Sequence, residues 1–85
     1  MPIRPEDVLP GDHAELHGIT VRKGSVAAFV ANAKLLDVLP RGSDERAQTL
    51  AHLRALAPAV AAVGLLDVFQ PRSPEVMEVF AATTV

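Results

Sequence analysis

Asp12, His13, Glu15 and His17 bring potential metal ligands or proton carriers together within one short stretch. Histidines four residues apart converge on a metal when the chain between them is helical. Gly11 and Gly18 bracket the stretch and leave little room for a helix, so His13 and His17 are only weak metal candidates, and no metal site is expected. On a strand, His13, Glu15 and His17 would instead alternate onto one exposed face, where polar groups protect an edge from unwanted pairing. His52 falls on the polar face of a later helical pattern and reads as a solvent-facing residue.

Arg22-Lys23-Gly24-Ser25 sets two cations, a glycine and a hydroxyl at the start of a helical pattern. Free backbone N–H groups and the helix dipole favour an anion at such a place. Arg22, Lys23, Gly24 and Ser25 are therefore the candidate anion-binding residues, for a phosphate, a carboxylate or a small anionic metabolite. The phosphate-loop pattern is absent, however, and a helix needs an entry of this kind merely to begin. Nucleophilic chemistry finds no support: Ser25, Ser43 and Ser73 each read as a helix cap, so none is left to be activated by a histidine. Asp44 and Glu45 complement a helix dipole before they form an acid–base pair, and Glu6 and Asp7 lie in a proline-rich arm. The chain is expected to have no catalytic residues and no cofactor, and to be non-enzymatic.

These side chains hang on a short series of elements. Pro2, Pro5, Pro10 and Gly11 favour an extended N-terminal arm over residues 1–12, with one helical domain over residues 13–85. Ala14-Glu15-Leu16 and Ile19-Thr20-Val21-Arg22 flank His17-Gly18, the two-residue spacing of a tight β-hairpin whose buried side would be Leu16, Ile19 and Val21. Gly24 permits the change of direction and Ser25 is the expected N-cap of a helix over 26–39. That helix carries only Lys34 and Asp37 as charges, with Val26, Phe29, Val30, Ala33 and Leu36 on one face and Ala28, Leu35 and Leu39 opposite. It reads as a central helix buried on two sides, with Asn32 as a buried amide in need of a partner.

Ser43, Asp44 and Glu45 open a second helix with an apolar stripe of Leu50, Leu53, Leu56, Ala57 and Val60, ended or kinked at Pro58 and stopped at Gly64. Leu65-Leu66-Asp67-Val68-Phe69 suits a helical turn or a strand equally. Ser73, Pro74 and Glu75 start a last helix that buries Val76, Met77, Val79 and Phe80, with the residues from 81 onward fraying. The expected fold is mainly α: a small N-terminal β-hairpin followed by a three- to four-helix bundle around the central helix 26–39. Leu35-Leu36-Asp37-Val38-Leu39 before Pro40-Arg41 is echoed by Leu65-Leu66-Asp67-Val68-Phe69 before Pro71-Arg72. Such an echo suits a duplicated unit, and equally suits any two helix ends built by the same stop and cap rules.

The totals narrow the class. Eighty-five residues make one domain near the lower limit for an independent core. Hydrophobic residues are 49% of the chain and aromatics 4%, so the core must be Ala, Val and Leu. A net charge of −2 disfavours a nucleic-acid partner, which needs many phosphate-neutralising cations. The absence of cysteine suits a reducing, cytoplasmic setting, and no segment has the apolar length of a signal core or a membrane span. Abundant Ala, Val and Arg with little Lys suggests a GC-rich bacterial gene.

The run Gly18-Ile19-Thr20-Val21-Arg22-Lys23-Gly24-Ser25-Val26-Ala27-Ala28, with Asn32 downstream and Val63-Gly64-Leu65-Leu66-Asp67-Val68-Phe69-Gln70-Pro71 far beyond it, resembles a family of small uncharacterised bacterial proteins. That domain of unknown function has a Gly-β-Gly-Ser/Thr-Val-Ala-Ala entry and a Val-Gly-Leu, Pro-rich exit. The resemblance runs from about Gly18 to Pro74, departs where no Trp follows Pro71, and implies no activity. What the residues favour is an accessory protein that forms a homo-oligomer or binds a protein partner, since apolar residues exceed what so short a chain encloses. The alternatives are an anion- or metabolite-binding module at Arg22 to Ser25, and a helical regulator or antitoxin-like partner.

Overall fold

A computed structural model describes residues 3, 11 and 13–83. The expected arm over 1–12 and Asp12 therefore lie almost wholly outside the described residues. The remainder is mainly helical: strands β1 (His13–Leu16) and β2 (Ile19–Arg22), helix α1 (Ser25–Val38), helix α2 (Asp44–Val63), a 3-10 turn (Leu65–Asp67) and helix α3 (Pro74–Thr83).

The hairpin forms as its spacing dictates. Leu16 pairs with Ile19 and Ala14 with Val21, while His17 and Gly18 adopt φ of 53° and 78°. Two successive positive φ values make a type I′ turn, whose twist matches the strands it joins. Cross-strand partners share a face, so Ala14, Leu16, Ile19 and Val21 line one side, with Val21 buried and the others half-buried.

Three features of the helices differ from expectation. The N-cap of α1 is Gly24, in the left-handed region at φ 86°, and Ser25 is the first helical residue. Ser25 is buried and its hydroxyl donates to the Arg22 carbonyl at 2.6 Å, tying the helix back onto β2. Glycine makes the reversal at no steric cost, which frees the serine for that tie. Secondly, α2 runs unbroken through Pro58. A proline inside a helix removes the bond to the carbonyl four residues back and costs about 3 kcal/mol. Here that carbonyl belongs to Arg54, an exposed residue, while fully buried Ala57 and Val60 hold the helix on its other side.

The third difference is the place of the centre. The core joins Phe29 and Leu36 of α1, Leu53, Ala57 and Val60 of α2, and Val76, Val79 and Phe80 of α3. Helix α2, and not the helix expected over 26–39, packs against α1, α3, β2 and the 3-10 turn. Leu53, Ala57 and Val60 are wholly inaccessible to solvent. Helix α1 is buried along one face only: Ala28 is exposed, Leu35 is 42% exposed and Leu39 is half-buried. Asn32 is half-buried and meets its need locally, its side-chain amide donating to the Ala28 carbonyl at 2.8 Å. Among the described residues there are three α-helices, the lower end of the expected range. An excess of Ala on α1 explains the error about its second face, because alanine is apolar yet gains too little from burial to demand it.

The capping expectations hold elsewhere. Ser43 accepts from the Arg46 N–H at 3.2 Å and donates to the Pro40 carbonyl at 2.8 Å. Gly64 stops α2 at φ 92°, and Ser73 accepts from the Val76 N–H at 3.5 Å to start α3. Leu65-Leu66-Asp67 resolves as a helical turn and not a strand, closed by the Phe69 N–H on the Leu65 carbonyl at 2.8 Å. Ordered helix continues to Thr83, past the point where fraying was expected.

Candidate functional site

Between α1, the 3-10 turn and α3 the surface opens into an apolar groove of about 330 Å³. Its floor is the side of the core, Phe29, Ala33, Val76 and Phe80. Phe29 and Phe80 meet there with ring centroids 5.0 Å apart and planes inclined by 36°. Its rim is Val30, Leu66 and Phe69, which are 43%, 40% and 64% exposed. Lys34, Asp37 and Arg72 supply charge at one end.

Local structure accounts for the exposed rim. After the turn at Leu65–Asp67 the chain passes through Val68, Phe69, Gln70 and Pro71 without regular structure before Ser73 caps α3. Pro71 cannot donate a backbone hydrogen bond and helps to keep this connection extended. The connection carries Phe69 outward, so that a second shallow cavity, of about 370 Å³, lies on its other side against Met77 and Ala81. Of the three phenylalanines in the chain, two close the core and the third stands in solvent between two cavities. Fully burying such a ring would gain about 1.5–3 kcal/mol, so leaving it out is a cost that the fold alone does not recover.

Helix α3, which lines the groove, is tied at its start to the start of α2 by an ion pair. Arg46 Nη2 donates to Glu75 Oε1 at 2.5 Å, with Arg46 the better shielded of the two. That hydrogen bond holds the Glu75 carboxyl below its ordinary value of 4.5; burial opposes it as the next-largest effect, and the charges of Arg46 and Arg41 add to the lowering.

Arg22, Lys23, Gly24 and Ser25 do come together at the start of α1. Arg22 and Lys23 are exposed, and the Ser25 hydroxyl is engaged with the Arg22 carbonyl. The cavity beside them, about 180 Å³, is walled mostly by Leu16, Val21, Val26, Ala27 and Val63. Gly24's carbonyl accepts from the Ala28 N–H at 2.9 Å, an ordinary first turn. His13 and Glu15 are exposed on β1 and His17 on the turn beyond it. Glu15 Oε1 accepts from the Thr20 hydroxyl at 3.5 Å, and His52 is exposed on α2. Among the described residues no three of His, Asp and Glu gather as a metal site would require. Thr49 is buried and donates to the Glu45 carbonyl at 2.8 Å. No helix among the described residues is long and apolar enough to cross a membrane.

Neither the groove nor its rim follows from a search for ligating or nucleophilic residue types. The signal available was Val68-Phe69 placed between a helix stop at Gly64 and Pro71, where an apolar pair has no element to bury it.

Comparison with models of protein families, with characterised proteins and with solved structures finds no match to this chain.

Proposed function

We propose that the chain is a non-enzymatic accessory protein that works by assembly, with copies of itself or with a protein partner, through apolar surface its fold leaves uncovered. The observation that carries this reading is the exposed rim of Val30, Leu66 and Phe69 around the groove. Contiguous exposed apolar surface rimmed by polar groups is a hallmark of protein interaction sites, and aromatic side chains are the usual energetic anchors. Phe69 has the position of such an anchor, with Lys34 and Arg72 as the polar margin that orients a partner. The size of the chain favours the same reading, because a domain of this length gains much of its additional burial from association.

Recovery of the tagged chain from the cell that makes it, in parallel with Phe69→Asp, tests the proposal. The reading predicts a stoichiometric complex, of the chain alone or with a second protein, that is lost or strongly depleted in Phe69→Asp while the variant stays folded. A chain recovered uncomplexed in both cases contradicts it.

A further inference from the structure

Beneath its rim the groove is concave, and its floor of Phe29, Ala33, Val76 and Phe80 is apolar throughout. Its volume of about 330 Å³ lies at the lower end of the range for small-molecule sites. It runs beside α1 from Phe29 to Asp37, about 12 Å along the helix axis. That is the length of an extended chain of about eight to ten carbons.

The charged groups of the lining gather at one end. Lys34, Asp37 and Arg72 are all exposed there, and among the described residues none of the three forms an ion pair. Two cations against one carboxylate leave one positive charge in excess beside the apolar floor. The helix ends near this point oppose each other, because α3 starts at Pro74 with its positive end and α1 stops at Val38 with its negative end. The side chains therefore set the sign of the field, and it favours an anion. An open cavity continues past Asp37, Arg72, Ser73 and Pro74, so a charged group seated here keeps contact with water and is spared the cost of burial.

We propose that the groove binds a medium-chain aliphatic carboxylate, free in solution, with its chain on Phe29, Ala33, Val76 and Phe80 and its carboxylate between Lys34 and Arg72. This goes beyond assembly: the ligand occupies the floor of the groove, whereas assembly uses the outward-facing Phe69 at its rim. An aliphatic chain suits the floor better than an extended peptide does. A peptide brings backbone N–H and C=O groups that need partners, and among the described residues no strand borders the groove to supply them. Burial of the chain supplies most of the affinity, and the two cations fix which end lies where.

Titration of the whole chain, followed by backbone-amide chemical shifts, tests the site with hexanoate, octanoate, decanoate and dodecanoate, and with 1-octanol as the uncharged comparator. Decanoate should saturate in the low millimolar range or below, with the largest shifts at Phe29, Ala33, Val76 and Phe80. From hexanoate to decanoate each added methylene should tighten binding about two- to four-fold, and dodecanoate should add little because the floor is filled. Lys34→Gln and Arg72→Gln should each weaken octanoate about two- to five-fold and leave 1-octanol unchanged. Asp37→Asn should tighten octanoate, since it raises the positive excess. All three substitutions lie at exposed positions, and circular dichroism confirms that each variant keeps its helices.

Absence of saturable decanoate binding overturns the inference and leaves the assembly reading standing, because that reading is decided by the complexes recovered with and without Phe69→Asp. Saturation with the largest shifts elsewhere, or affinity indifferent to chain length, overturns the seat of the chain. Lys34→Gln and Arg72→Gln that leave octanoate unchanged, or that weaken 1-octanol equally, overturn the place given to the carboxylate.

Discussion

Truncating Leu53 separates a fold centred on α2 from one centred on α1. Leu53 has no solvent exposure and stands in the middle of the helix that α1, α3, β2 and the 3-10 turn all pack against. Leu53→Ala loses the transfer free energy of the removed atoms and leaves a cavity that rigid neighbours fill only in part, a cost of about 2–5 kcal/mol. The upper half of that range is expected, because Ala57 and Val60 beside it are also wholly buried and belong to the same rigid helix. An 85-residue domain has about 4–13 kcal/mol of stability in total. A loss of about 4 kcal/mol would lower the melting temperature by about 16–32 °C. Leu35→Ala on α1 removes the same atoms at a position 42% exposed. Its effect on the folded monomer is expected within about 0.5–1 kcal/mol, between surface and core behaviour. Urea unfolding of the two variants, at a concentration low enough to keep the chain monomeric, gives both values on one scale. Equal losses, or a larger one at Leu35, would refute the assignment of α2 as the centre.

Three further outcomes follow from the same geometry. Phe80→Ala should cost about 3–5 kcal/mol, whereas Phe69→Ala, at 64% exposure, should stay within about 0.5 kcal/mol; thermal melts of the pair show whether Phe69 is spare surface or hidden core. Gly64→Ala forces φ 92° on an L-residue and sets its Cβ 3.3 Å from Asp67 Oδ2, so chemical unfolding should show a loss of about 1–2 kcal/mol. Glu75 is held below its ordinary value by Arg46, so its contribution is fully present above 4.5 and disappears as pH falls through the lowered value. Unfolding curves of wild type and Glu75→Gln should therefore converge as the medium is acidified below that point and separate above it; a gap that widens in acid would show the reverse linkage.

The hairpin, the caps at Ser43 and Ser73 and the stop at Gly64 were legible in the residues because each is decided within a few positions by backbone sterics and local hydrogen bonds. The stripe Leu50, Leu53, Leu56, Ala57 and Val60 was legible because its period is strong. The identity of the central helix was not. Alpha1 and α2 are both rich in alanine, and an alanine face is compatible with burial, with exposure and with a partner helix, so hydropathy alone places α1 wrongly. Pro58 does not end α2, because the local penalty is outweighed by the tertiary packing of Ala57 and Val60. The thirty-residue echo shows the limit of pattern matching. Ser43 and Ser73 cap helices in the same way, yet the apolar runs before them differ, one the end of α1 and the other a 3-10 turn followed by an exposed Phe69. Of the candidate site residues, Arg22 to Ser25 are neighbours by sequence alone and the Ser25 hydroxyl is engaged with the Arg22 carbonyl, while the groove was hidden because it is made of ordinary apolar residues that only the fold collects.

The mass of the purified chain in solution tests the assembly proposal most directly. Static light scattering across a wide concentration range should show a mass rising from the 9.0 kDa of one chain towards at least twice that value, with the rise abolished when the exposed apolar residues Phe69 and Val38 are both replaced by Asp. A mass of 9.0 kDa at every concentration, with no partner recovered from the cell, would contradict it.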